Sequence, residues 1–294
     1  MIIDLSELSD GFCSKLRVIS YYLAVIIIKG LKKEIQIYEK KTEECPFLFT
    51  NLCTIKQFKI YKLNKKPYSE IIFTPYNYDS SIKLLKKKYF IKKKQNLKFN
   101  RISNLVYQKY TPNIKVRKRI KKMNLPKKFI GIHIRATDRE LKIKNFIKKI
   151  QFQDMIFDFH TNHMIKNLGN FIITKKLFKN IFICSDEKDY KKETIKMYSS
   201  KLNIFFNKSK FNKKKIRQTN GIDFVTELFS LARSHTIITN VGGNVSYTAY
   251  LLSGKKLKVY KWIDLFNSFI IFKYLVSVIF LIKKIKNFMI KKII

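Results

Sequence analysis

Phe129-Ile130-Gly131-Ile132-His133-Ile134-Arg135-Ala136-Thr137-Asp138-Arg139 is an apolar run that ends in a polar turn. Phe129 to Ile134 reads as a buried strand, and the residues after it carry groups suited to an anionic ligand. His133 and Arg135 alternate along the strand end, so both point to one face. Arg135 offers a planar fork of donors that matches phosphate oxygens. Asp138 accepts from the N–H groups of a base or from ribose hydroxyls, Arg139 adds a second cation in the turn, and His133 donates to a phosphate or base. The same residues also read as a plain strand-end ion pair, Arg135 with Asp138.

Outward from this run the chain alternates. Ile147 to Leu168 contains a helix, Asn180 to Cys184 is a strand, and a helix runs to about Tyr198. Leu202 to Phe206 is a strand, Phe224 to Arg233 a helix, and Thr236 to Thr239 a strand. Gly242-Gly243 opens a helix to Leu252, and Lys256 to Tyr260 is a last strand. Such alternation predicts an α/β fold with a parallel sheet wrapped by helices. Ligands in these sheets bind beyond the carboxyl ends of the strands.

Two more strand ends carry polar groups. Ser185-Asp186-Glu187 suits a ribose or purine, and suits equally well the capping of the helix that follows. Thr239-Asn240-Val241-Gly242-Gly243-Asn244 lets a phosphate approach backbone N–H groups at a helix N-terminus. It is neither a Walker loop nor G-x-G-x-x-G. No G-x-S-x-G is present, which argues against a serine hydrolase. No D-x-D pair stands in a metal-site setting, so a metal-independent nucleotide-sugar site is favoured.

The first half starts the same way. Met1 to Leu5 reads as a strand, Asp10-Gly11 as a turn, Leu16 to Ile28 as a mostly apolar helix and Glu34 to Tyr38 as a strand. Between Glu43 and Leu125 the pattern weakens. Ile71 to Thr74 is expected as a strand and Asn113 to Met123 as a basic helix.

The 294 residues carry 62 Lys+Arg against 20 Asp+Glu, a net charge of +42, and 46% are hydrophobic, enough for a sizeable core. Lys outnumbers Arg 54 to 8, and Ile, Asn, Phe and Tyr are abundant, as A+T-rich coding produces. Part of the charge is therefore compositional background. It is still uneven: Lys83 to Lys128 holds 18 Lys/Arg and no Asp or Glu. Four cysteines form no C-x-x-C pair and, with only four His, give no readable zinc site. A reducing compartment fits them best. The acidic N-terminus lacks the basic start of a secretory signal. Val18 to Ile28 is too short to span a bilayer. The basic tail 263–294 reads as amphipathic; as a spanning helix it would bury Lys273 at a cost of roughly 2.5–3.5 kcal/mol.

GIHIRATDR resembles the H-x-R-R-T-D-[KR] motif of the α-1,6-fucosyltransferase and NodZ group, within the wider fucosyltransferase superfamily. DGFCSKLR is similar to that superfamily's opening G-x-G-N-[RK]-L-R, and IFICSDE and ELFSLARSHTIITNVGGNVSYTAYLL fall in the expected order. The resemblance covers about 11–53 and 128–260. It implies a GT-B-like pair of Rossmann-like domains, the N-terminal one smaller and less regular: 1–125 on the acceptor side, 126–262 holding the GDP-sugar, then the tail. It implies an inverting, metal-independent transfer of fucose from GDP-fucose to a glycan or glycolipid acceptor, with no cofactor. Arg135 would meet the β-phosphate and Arg139 the diphosphate. His133 and Asp138 would meet the guanine or ribose side. Ser185, Asp186 and Glu187 would hold the nucleoside, and Gly242 and Gly243 would form the donor loop. Glu227 is carried over as a catalytic candidate, and Gly11, Ser14 and Arg17 as the N-domain turn.

The departures are Ala136 for the motif's second Arg, Cys13-Ser14 for its Gly-Asn, Glu227 for an Asp and Gly243 for a Ser. They motivate an alternative, a non-catalytic nucleotide- or glycan-binding homologue. A basic nucleic-acid-binding protein is a weaker alternative, since no nucleic-acid-binding motif supports it. The expected setting is the cytoplasm, peripherally on an anionic membrane surface met through 83–128 and 263–294, with no nucleic-acid partner.

Overall fold

The computed structural model of the chain describes residues 1–8, 11–41, 48–68, 71–74, 77–135, 151–209, 220–240 and 243–262, without the side chains of 151–160. In the first half, β1 (Ile2–Asp4), α1 (Phe12–Lys29), β2 (Glu34–Tyr38), α2 (Phe49–Leu52), β3 (Cys53–Ile55) and β4 (Lys59–Lys62) come first. Then follow α3 (Tyr78–Lys88), α4 (Asn96–Leu105), β5 (Tyr110–Pro112) and α5 (Ile114–Lys122). The second half alternates: β6 (Ile130–Ile134), α6 (Gln151–Thr174), β7 (Asn180–Ser185), α7 (Lys188–Tyr198), β8 (Asn203–Phe206), α8 (Gly221–Leu231), β9 (Thr236–Thr239), α9 (Asn244–Leu252) and β10 (Lys258–Lys261).

Both halves are built on parallel sheets. The first has three strands in the order β1-β2-β4, the second five in the order β10-β9-β6-β7-β8. The short antiparallel pair β3-β5 stands apart from both. This is the expected α/β architecture of two Rossmann-like sheets, the N-terminal one smaller and less regular. In the larger sheet the chain winds outward from β6 to β7 and β8, then returns to the other side of β6 with β9 and β10. The direction reverses between β6 and β9. In an open α/β sheet that reversal leaves a crevice at the strand ends, where ligands bind.

Sequence explains the layering. All five residues of β6 are buried, as a central strand covered on both faces requires. One apolar cluster fills the first half and the adjoining face of the large sheet, from Leu16, Ile19 and Leu23 on α1 to Val225, Leu228 and Leu231 on α8. A second covers the opposite face, with Ile130, Ile132 and Ile134 of β6 under Met164, Ile165 and Leu168 of α6. The two halves meet inside the first cluster: Phe12 and Phe224 contact edge-on with centroids 6.2 Å apart, and α5 packs against α8. Arg119 on α5 pairs with the fully buried Asp223 on α8. The expected boundary at 125/126 falls in the turn between α5 and β6.

One expected strand is absent. Ile71 to Thr74 lies in no sheet, although Ile71 and Phe73 are buried and Ile72 is exposed in strand-like alternation. Its backbone serves the start of α3 instead. Ile72 O accepts from Ser81 Oγ at 2.8 Å and Asn77 Nδ2 at 3.0 Å, and the Thr74 N–H donates to Asn77 Oδ1 at 2.7 Å. The basic helix at 113–123 is present as α5, with Asn113 accepting from the Val116 N–H. α8 starts three residues before its expected first residue, because Asn220 caps it through the Asp223 N–H at 2.9 Å.

Candidate functional site

The reversal point between β6 and β9 gathers polar groups from three elements. Arg135 leaves the tip of β6. Its N–H donates to Asn240 Oδ1 at 3.2 Å, and its carbonyl accepts from Asn240 Nδ2 at 3.0 Å. Asn240 follows β9, is fully buried, and also donates to Thr161 Oγ1 on α6 at 2.7 Å. One amide thus fastens the tip of β6 to the end of β9 and to α6. Asn240 stood in the TNVGGN run without being singled out. An Asn directly after an apolar strand is the signal that would have found it.

Gly243 lies against the Arg135 side chain. A Cβ built there would stand 3.2 Å from an Arg135 Nη and 3.9 Å from its Cδ. The missing methyl lets the arginine lie across the start of α9, which has no side-chain cap and no acid in its first turn. The guanidinium therefore lies at a helix N-terminus, a setting that favours an anion. Gly243, Asn244, Tyr247, Tyr250 and Lys261 bound an open cleft of about 610 Å³ beside it, a volume within the range of small-molecule sites.

The first half reaches this point through α1. Gly11 is its N-cap at φ 102, a left-handed-side backbone that only glycine adopts freely, and α1 has no acid in its first turn. Arg17 Nη2 donates to Asn244 Oδ1 at 2.7 Å, and its guanidinium lies 5.6 Å from the Tyr78 ring centroid. This ties α1 and α3 to the start of α9. Ser14 is buried, and its hydroxyl has no partner among the described residues. Gly11, Ser14 and Arg17 fall at spacings of three, along one side of the helix.

His133 is buried behind Arg135, with Nδ1 3.3 Å from Thr239 Oγ1. Burial and then the Arg135 charge push its pKa down to about 3, so its imidazole is neutral near pH 7. It supports the strand tips and carries no charge toward a ligand.

The next strand end behaves as a cap. The Glu187 carboxylate accepts from the N–H groups of Asp189 and Tyr190, both at 2.9 Å, and Ser185 Oγ accepts from the Glu187 N–H at 3.0 Å. Asp186 is half-buried beside them. Glu227 is buried on α8. Its Oε1 accepts from Lys191 Nζ at 2.7 Å and Ser209 Oγ at 3.0 Å. Burial pushes its pKa up despite the lysine. Lys191 also donates to Asn207 O at 3.0 Å, and Asn207 Nδ2 to Asp223 Oδ1 at 3.0 Å. Glu227 therefore sits in a satisfied polar network under the sheet end. Asp138, Arg139 and Gly242 lie outside the described residues.

Among the described residues no group of three His, Cys, Asp or Glu could hold a metal ion. Cys13, Cys53 and Cys184 are buried free thiols, and burial raises Cys184 well above the ordinary thiol range. No described helix is long and apolar enough to cross a membrane.

No family model matches the chain, and no curated protein matches it. Solved structures do. A structure of NodZ alpha-1,6-fucosyltransferase soaked with GDP-fucose is 15% identical, with 85% of this chain and 91% of that chain covered at a TM-score of 0.49. Fucosyltransferase NodZ from Bradyrhizobium is also 15% identical, covering 85% and 92% at 0.47. POFUT1 in complex with GDP-fucose is 9% identical, covering 88% and 96% at 0.46.

Proposed function

We propose that the chain is a glycosyltransferase that moves fucose from GDP-fucose to a glycan hydroxyl, inverting the anomeric centre without a metal. The observation that carries this reading is the placement of Arg135. It stands at the reversal of the larger sheet, laid across Gly243 at the uncapped start of α9. The GIHIRATDR resemblance puts the donor diphosphate at the same residue.

In this reading the bond from the sugar's anomeric carbon to the β-phosphate oxygen breaks, and a bond from the acceptor oxygen forms on the opposite face. The acceptor's proton passes to water. Negative charge grows on the leaving GDP, where Arg135 and the α9 N–H groups meet it. Preorganised donors of this kind do most when charge develops in the transition state. Arg17, held by Asn244 and Tyr78, brings the first half to the same charge. Ser14, buried and with no hydroxyl partner among the described residues, is assigned to the acceptor side by the resemblance. Glu227, spent on Lys191 and Ser209, positions the sheet end and does not act as the base. A reaction driven by its leaving group needs little help from one. The free buried thiols agree with work on the cytoplasmic side of a membrane.

Titration calorimetry with GDP, UDP and CMP tests the donor assignment. GDP is expected to bind preferentially, and Arg135→Ala to weaken it strongly and to cut transfer on the order of 10²–10³. Absent GDP binding in the parent, or equal affinity in Arg135→Ala, would refute it. A second reading, binding without turnover, is favoured by Ala136 in place of the motif's second arginine. GDP-fucose hydrolysis or transfer above the Arg135→Ala control would exclude it.

A further inference from the structure

The turn joining α3 to α4 carries features that the donor site does not use. Its tip reads Lys86-Lys87-Lys88-Tyr89-Phe90-Ile91-Lys92-Lys93-Lys94. The turn is tightly made. The N–H groups of Tyr89, Phe90 and Ile91 donate to the carbonyls of Leu85, Lys87 and Lys86 at 3.2, 3.0 and 2.8 Å. Lys29 Nζ holds the Phe90 carbonyl at 3.1 Å. The turn buries Ile91 and turns Phe90 outward, 79% exposed, at a left-handed φ of 50.

For a soluble fold this arrangement is doubly unfavourable. A bulky residue strains at positive φ, and the ring gains no core contact. Leu97, in the first turn of α4, is 84% exposed, and Leu84 near the end of α3 is 50% exposed. Around them Lys83, Lys87, Lys88, Lys92, Lys93, Lys94, Lys98 and Arg101 are all exposed. Residues 83–128 contain no acid to offset them. Lys86 turns back, over the Phe99 ring at 4.7 Å.

A polyanion in water satisfies the lysines but leaves Leu84 and Leu97 wet, since neither offers a ring for a base to stack on. An anionic bilayer satisfies both sets of groups, apolar side chains in the headgroup–acyl boundary and ammonium groups at the lipid phosphates. We infer that the turn joining α3 to α4 docks the protein on an anionic lipid bilayer, with Phe90 and Leu97 entering the interface and the flanking lysines on the lipid phosphates. Docking stands apart from the donor site. α3 runs about 16 Å at the ordinary helical rise from Tyr78, beside Arg17, to Lys88.

The test is co-sedimentation of the full chain with phosphatidylcholine vesicles, with and without about a third phosphatidylserine, and with single-stranded RNA as competitor. Binding is expected only to the anionic vesicles and to persist against RNA. Phe90→Gly is the informative variant, because glycine relieves the positive φ and leaves melting temperature unchanged or raised. It should weaken vesicle binding tenfold or more, as loss of a buried phenyl implies. Replacing Lys92, Lys93 and Lys94 with Gln should weaken it on the order of a hundredfold, about fivefold per charge. GDP affinity should be unchanged in both, so failure here is distinguishable from failure of the donor reading. Equal binding to neutral vesicles, parental affinity in Phe90→Gly, or displacement by RNA would each overturn the inference.

Discussion

Replacing Asn240 with Ala should loosen the tip of β6 and the proposed donor site together. The side chain makes three hydrogen bonds, two with the Arg135 backbone and one to Thr161 Oγ1, from a fully buried position. Each is worth about 1 kcal/mol net, so Asn240→Ala should cost about 3 kcal/mol in urea unfolding. Thr161→Val keeps the shape and removes one of the three bonds, for about 1 kcal/mol. The double variant should cost no more than Asn240→Ala alone, because the shared bond is already gone. GDP titration of Asn240→Ala should show a tenfold or greater loss, since this amide bonds both the N–H and the carbonyl of Arg135. A cost under about 0.5 kcal/mol, strict additivity with Thr161→Val, or unchanged GDP affinity would refute this account.

Other outcomes follow from buried groups. His133 is neutral in the native state, with its pKa depressed to about 3, and titrates near 6.5 when unfolded. The unfolded chain therefore binds more protons below pH 6.5, and stability should fall by about 1.4 kcal/mol per pH unit from there toward pH 3. His133→Gln should flatten that limb of a pH series of urea melts. Lys191→Met should cost about 3–5 kcal/mol by leaving the Glu227 carboxylate buried without its partner, and adding Glu227→Gln should restore much of it, as thermal melts would show. Gly131→Ala should cost about 1–3 kcal/mol through overpacking, because its Cβ would stand 2.6 Å from Leu231 Cδ2. A chemical melt within 0.5 kcal/mol of the parent would argue against that close packing of α8 on β6.

The large sheet was legible because its strands announce themselves locally. Each is a short run of β-branched and aromatic residues bounded by polar turns, and β7 and β9 begin at their expected residues. The reversal of strand order was not legible, because no local pattern says on which side of β6 the fourth strand will lie. The first half was harder. Ile71 to Thr74 alternates like a strand, yet its carbonyls and N–H groups are claimed by Asn77 and Ser81. Arg135 stood out from residue type and position alone. Its settings did not: Asn240 lies 105 residues on, and the Arg17 bond to Asn244 spans 227. The capping role of Glu187 was one of two local readings, and the N–H groups of Asp189 and Tyr190 show it.

The contact of Phe12 with Phe224 has a bearing on how the chain comes apart. The seam between the halves is filled with side chains from both, so swinging one half away would strip apolar surface at roughly 25 cal/mol per Å². A clamshell motion about the 123–129 turn is therefore costly. The same seam makes each half a scaffold for the other. Scanning calorimetry should record one cooperative heat-absorption peak, and a chain cut at that turn should melt as a single noncovalent unit.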